Sequence, residues 1–169
     1  TLDKTEVIFG PSSVIYGSDA LGGVIHYYTR KPEVSERMNT NLEFLGRYST
    51  VNDEKTANAA IELQFKKIAS FTSITHSSFG DLQMGDYRPH GFDNWGLQYE
   101  YSDNTDSFYN PEPVANSNPS MQRNVGYQQT DFLQKILFKP NENTEHLLNV
   151  QISNSSDINR YDRLTETSN

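Results

Sequence analysis

The sequence predicts an all-β chain of antiparallel, amphipathic strands, and three observations carry that expectation. Apolar and polar side chains alternate with a period of two over several runs of roughly ten residues, the signature of a strand with two unlike faces. Clusters of Gly, Pro, Asn and Asp separate those runs, as turns require. No stretch of about eighteen consecutive apolar residues exists, which excludes a transmembrane helix. The strands of a membrane barrel would pass unnoticed in that search, because alternation dilutes their hydropathy. With 169 residues, 34% of them hydrophobic, 10 Tyr, 9 Phe and a mean hydropathy of -0.73, the composition fits soluble β domains and outer-membrane barrels alike.

The first elements are set by small residues. The run Glu6, Val7, Ile8, Phe9 is closed by Gly10 and Pro11, the stretch Tyr16, Gly17, Ser18, Asp19 reads as a turn, and Gly22 with Gly23 admits a bend before the apolar pair Val24 and Ile25. These residues specify backbone shape rather than catalysis. A glycine-rich hairpin in a soluble β protein would need some of the same residues.

Taken whole, residues 10–25 resemble the C-terminal end of the plug domain of TonB-dependent outer-membrane receptors. There, a glycine-proline turn, a tyrosine-glycine step and a double glycine precede a final strand. The matching positions are Gly10, Pro11, Tyr16, Gly17, Asp19, Gly22 and Gly23. Thr29, Arg30, Lys31 and Pro32 look like the family's handover from plug to barrel. The resemblance implies a fragment of a plugged antiparallel transmembrane β-barrel, with residues 1–32 the end of the plug, 33–39 a polar linker and 40–169 about five strands of the wall. Two positions depart from the family pattern. Phe9 stands where an arginine usually pairs with wall carboxylates, which puts the usual charged latch in doubt, and His26 stands where asparagine is common.

Strand patterning follows along the chain. Over residues 41–49, Leu42, Phe44 and Tyr48 share one face while Glu43, Leu45, Arg47 and Ser49 share the other. Over 57–66, Ala57, Ala59, Ile61, Leu63 and Phe65 oppose Asn58, Ala60, Glu62, Gln64 and Lys66. These two make a hairpin with Asn52, Asp53, Glu54 and Lys55 as its turn. Matching faces pairs Tyr48 with Ala59, Phe44 with Leu63 and Leu42 with Phe65, and sets Arg47 diagonal to Glu62. On the barrel reading Arg47, Glu62, Gln64 and Lys66 face the lumen and touch the plug; in a soluble sandwich the same face is simply wet.

A third strand spans about 68–79 after a tight connection at Lys66 and Lys67. Residues 80–127 then form an irregular stretch far longer than the loops of compact domains, which makes it either functional or without fixed structure. The fourth strand, about 129–139, poses a choice of face. Pointing Lys135 at mid-membrane lipid would cost about 2 to 4 kcal/mol, so Phe132, Ile136 and Phe138 go outward with uncharged Gln134. Pro140, Asn141, Glu142 and Asn143 make the next turn, and a fifth strand places His146, Leu148, Val150 and Ile152 on one face. Short turns alternating with a long loop suit the periplasmic and extracellular ends of a barrel, although the first loop, 51–55, is short for its side. Five strands cannot close, since a plugged transporter has about 22.

Charge and chemistry narrow the function. Twenty-two acidic against 14 basic residues, a net charge of -8, disfavours nucleic acid as a partner. There is no cysteine, hence no disulfide and no thiolate metal site. The four histidines, His26, His76, His90 and His146, lack the spacing of a zinc site or of a nucleophile and its base, so neither enzymatic activity nor a resident cofactor is expected. The long loop is the better place for a ligand. Tyr87, Arg88, His90, Trp95, Tyr99 and Tyr101 combine rigid aromatics with hydrogen-bonding groups suited to a polar or planar molecule, and His90 could ligate haem iron. Packing of the loop on itself explains the same aromatics.

The resemblance implies active transport of a scarce nutrient of the iron-siderophore, haem or cobalamin type across the bacterial outer membrane. Its partners would be outer-membrane lipid, the small-molecule nutrient and the TonB complex, the last through a segment upstream of Thr1. The abrupt start at Thr1 fits a piece cut from a longer chain. A soluble β-sandwich binding module or surface adhesin is the competing class.

Overall fold

In a computed structural model the described residues are 2–10, 16–17, 22–87, 91–92, 94–102 and 113–158. They form eleven strands and, as the alternation predicts, the fold is all-β. β1 (Leu2–Phe9) and β2 (Gly23–Thr29) make an antiparallel hairpin in which Glu6 lies opposite His26 and Ile8 opposite Val24. β3 (Asn39–Ser49), β4 (Glu54–Gln64), β5 (Ile68–Phe79), β10 (Tyr127–Asn141) and β11 (Thr144–Ser155) form one five-stranded sheet in the order β11-β10-β5-β4-β3. Four short strands lie within 80–127: β6 (Leu82–Gln83) pairs with β9 (Met121–Gln122), and β7 (Glu100–Ser102) with β8 (Pro113–Ala115). The long stretch is therefore partly built from its own ladders. No described helix is long and apolar enough to cross a membrane, which says nothing of crossing by strands.

Three turn assignments differ from expectation. The β3-β4 turn occupies 50–53, so Glu54 and Lys55 already belong to the strand. Asp53 takes the left-handed conformation at φ 45°, which Asp tolerates better than most residues, and its carboxylate accepts from Lys55 Nζ at 2.8 Å. This tighter turn slides the pairing while keeping the faces. Asn39 Nδ2 donates to Gln64 Oε1 at 3.0 Å, and Arg47 meets Glu54 at 3.4 Å rather than Glu62. Lys66 falls past the end of β4, and Pro140 and Asn141 remain in β10, so the next turn is only Glu142 and Asn143.

The chain divides into two compact units, to each of which all five long strands contribute. The first comprises Thr1–Leu42, Ala60–Ser73 and Leu133–Val150. Its core lies on one face of the sheet: Ala60, Ala69, Phe71, Leu133 and Leu137 are buried, with Ala60, Phe71 and Leu133 in mutual contact. Lys135 shares that face and is 5% exposed, as the cost of turning it outward predicts. The opposite face presents Leu42, Phe65, Ile68, Phe138 and Leu148 to the surroundings. A polar trio interrupts it: Gln134 accepts from Thr72 Oγ1 at 2.7 Å and donates to Ser70 Oγ at 2.9 Å, so its amide is satisfied without water.

The second unit comprises Glu43–Ala59, Ile74–Phe132 and Gln151–Asn169. The sheet face that carries Glu54 is polar here. Thr56 Oγ1 donates to Glu54 Oε1 and lies 3.0 Å from Ser77 Oγ, Asn58 Nδ2 donates to Thr75 Oγ1, and the Asp131 carboxylate accepts from Ser153 Oγ and Gln129 Nε2. Its other face exposes Phe44, Tyr48, Ile74 and Ile152.

Candidate functional site

The densest set of charged contacts gathers where β2 ends. Lys135 Nζ on β10 donates to the Thr29 carbonyl at 2.9 Å and to Thr29 Oγ1 at 2.6 Å. Arg30 Nη2 donates to Glu62 Oε2 on β4 at 2.8 Å, and its guanidinium lies 5.4 Å from the centre of the Phe71 ring on β5. The remaining Glu62 oxygen accepts from the Glu33 amide at 3.4 Å and from Gln64 Nε2 at 2.9 Å. Lys31 pairs with Glu145 on β11, Pro32 is fully buried, and the Ser35 amide donates to the Phe65 carbonyl at 3.0 Å. A carboxylate as buried as Glu62, whose side chain is 4% exposed, needs both a cation and further donors to offset its lost hydration, and it has them.

The four residues assigned to one polar face thus divide. Glu62 and Gln64 touch each other and join this cluster. Arg47 is exposed and pairs with Glu54, and Lys66 is exposed and pairs with Glu36. The expectation that Arg47 lies against Glu62 fails because the tight turn moves Glu54 beside it. Phe9 is 87% exposed, and the cation on Glu62 comes from Arg30, twenty-one positions later. The cue in the sequence is the Arg30, Lys31, Pro32 step, two basic residues just before a proline that breaks the strand. Phe71 beneath Arg30 and Lys135 on Thr29 were not legible in the sequence, because both come from distant strands.

The hairpin of β1 and β2 holds most of the described glycine motif. The Gly10 amide, at φ 93°, donates to the Gly22 carbonyl at 3.3 Å and closes the hairpin end. Gly23, at φ 149°, lies so close to β1 that a Cβ would sit 2.7 Å from the Ile8 carbonyl oxygen. Gly17 is also left-handed, at φ 98°. The Tyr16 ring meets His26 edge-on at 6.2 Å, and His26 stacks on Tyr28 at 4.2 Å. Tyr28 donates its hydroxyl to Glu6 Oε2 at 2.9 Å, and Lys4 pairs with the same carboxylate. The hydrogen bond from Lys4 and then that from Tyr28 hold the Glu6 carboxyl below its ordinary value, and Glu6 in turn raises Lys4 and Tyr28. Pro11 and Asp19 lie outside the described residues.

The long loop has a polar scaffold. Gln98 is 2% exposed: its amide donates to the Pro119 carbonyl at 2.9 Å, and its side-chain oxygen accepts from the Arg123 amide at 2.6 Å. Asn116, also buried, donates from Nδ2 to the carbonyls of Gln98 and Met121. Outside this knot the aromatics face out: Tyr87, Phe92, Trp95 and Tyr99 are exposed, while Tyr101 is half-buried. Tyr99 is fixed by its hydroxyl on Asn94 Oδ1 at 3.0 Å, and the Trp95 amide donates to the Phe92 carbonyl. Arg88 and His90 lie outside the described residues. Gln98 and Asn116, neither of them singled out from the sequence, thus tie the loop to itself, and Tyr99 is held through Asn94. Among the described residues no three metal-ligating His, Asp or Glu side chains converge.

Similarity to known proteins is confined to part of the chain. It is 41% identical over 58 residues to the iron-regulated outer membrane virulence protein of Vibrio cholerae serotype O1, in both the Classical Ogawa 395 and El Tor Inaba N16961 strains. That stretch is 34% of this chain and 9% of the relative, so the chain matches only a small part of the relative's length. No protein-family model and no solved structure matches.

Proposed function

We propose that this chain is part of a TonB-dependent outer-membrane receptor, comprising the end of its plug and about five strands of its wall, and that the receptor imports a scarce iron-bearing nutrient. The observation that carries the reading is the joint at residues 29–33. A glycine-shaped hairpin ends there in a segment pinned by Arg30, Lys31 and Thr29 to β4, β10 and β11, on the face of the sheet opposite its exposed apolar side. A plug held inside a lipid-facing wall calls for that arrangement. The relative's name supports an outer-membrane location and a link to iron.

On this reading the even-numbered apolar residues of β3, β10 and β11 meet lipid, and Glu62 and Gln64 face the lumen. The exposed Tyr87, Trp95 and Tyr99 offer flat surfaces for an organic iron complex of the siderophore or haem class. Transport would alter no covalent bond of the cargo, and its energy would come from TonB acting on the plug. Deleting the gene should abolish growth on a ferric complex as sole iron source in iron-depleted medium and abolish uptake of the radiolabelled complex, with full-length protein in trans restoring both. Unchanged growth and uptake on every ferric siderophore and haem supplied would overturn the reading.

A further inference from the structure

The segment after β2 is fastened in a different way from the hairpin it ends. β1 and β2 cohere by their own backbone pairing and by the Tyr28 hydrogen bond to Glu6 across it, and Val7, Ile25 and Tyr27 on one face are each more than half exposed. Residues 29, 30 and 31, in contrast, are held by side chains from three different strands, namely Lys135, Glu62 and Glu145. Phe71 from a fourth strand lies under the Arg30 guanidinium. Glu33 and Ser35 add backbone donors to the Glu62 carboxylate and the Phe65 carbonyl.

Geometry decides how the two parts answer a pull. In the hairpin, Leu2 pairs with Thr29, so the upstream end of β1 and the fastened end of β2 lie side by side. Tension between them opens an antiparallel ladder from that end, one pair at a time, and the first step meets the register irregularity between Leu2 and Lys4. The contacts at 29–31 sit on consecutive residues and bear the load together.

We propose that residues 29–36 are a fixed stop: a pull from upstream unzips β1 from β2 and draws the hairpin out, and the extension halts at Thr29 while the following segment stays on the sheet. The stop rests on the reading of residues 1–32 as the end of a plug. It confines what the pull can open to the space the hairpin fills and spares the buried Glu62 carboxylate from exposure.

The test is force spectroscopy on the full-length protein in a bilayer, pulled from its N-terminus. Wild type should give a low-force event ending at Thr29, then a separate higher-force event releasing the ten residues after it, Arg30 to Asn39, about 35 Å of chain. Combining Glu62→Gln with Lys135→Met should merge the two into one event longer by about that amount. On unaltered protein, amide exchange at Glu33 and Ser35 should be at least about tenfold slower than at Val7 and Ile8. A single wild-type event running to Asn39, a separate event that survives in the double variant, or exchange at Glu33 as fast as in the hairpin overturns the stop. Nutrient uptake is not among these readouts, so normal uptake together with a single event to Asn39 sinks the stop alone. The absence of any event before the wall unfolds sinks the plug reading with it.

Discussion

At the scale of single residues, Arg30 and Glu62 carry the largest electrostatic stake in the described chain. Arg30→Ala leaves a carboxylate with a 4% exposed side chain without its cation, and breaking such a pair costs about 3 kcal/mol or more. The expected outcome is an earlier denaturant midpoint of the full-length protein in micelles, with Arg30→Lys recovering part of the loss; a midpoint unchanged by Arg30→Ala would contradict the role given to the pair. Lys4, Glu6 and Tyr28 make a milder, pH-dependent contribution. Glu6 titrates below its ordinary value of 4.5 in the folded hairpin, so its contribution is present above that pH and is lost as pH falls through the folded value. Lys4 is raised above 10.5, so its share is present below that pH and fades as pH rises through the folded value. The protection of the Ile8 and Val24 amides, taken relative to the unfolded-chain exchange rate at each pH, should accordingly be flat between these limits and fall on either side.

Among elements, the hairpin shows that two adjacent glycines need not do the same work. A Cβ at Gly23 would meet the Ile8 carbonyl oxygen at 2.7 Å, whereas a Cβ at Gly22 meets nothing within 4 Å. Gly23→Ala should therefore weaken the hairpin by about 1 to 3 kcal/mol and Gly22→Ala by much less, which exchange rates in β1 would separate; equal effects would refute the close-approach argument. The double glycine is visible in the sequence, but which of the two is indispensable depends on a strand fourteen or more residues upstream. The β3-β4 turn teaches the same lesson in register. Alternation assigned the faces of both strands, while the left-handed Asp53 in a turn at 50–53 set which residues stand opposite.

For the whole molecule, the exposed apolar side of the sheet governs behaviour in solution. Leu42, Phe44, Tyr48, Ile68, Phe138, Leu148 and Ile152 are all more than 40% exposed, and large apolar side chains shared by one side of a sheet favour association or membrane contact over water. Residues 1–169 expressed alone should aggregate in plain buffer and disperse in detergent, and a cooperative monomeric melt without detergent would argue for a soluble module instead. The sequence by itself determined the all-β class, the inward side of Lys135 and the outward side of Phe132, Ile136 and Phe138, because period-two alternation is local and a lysine facing lipid is costly. It also carried the glycine motif, whose demands on φ are local too. Only the tertiary structure decided that Arg30 rather than Arg47 meets Glu62, that Lys135 caps Thr29, and that Gln98 and Asn116 knit the long loop. Those pairings join residues from 18 to 106 positions apart, and such contacts are chosen by register, turn length and burial, which no single stretch of sequence encodes.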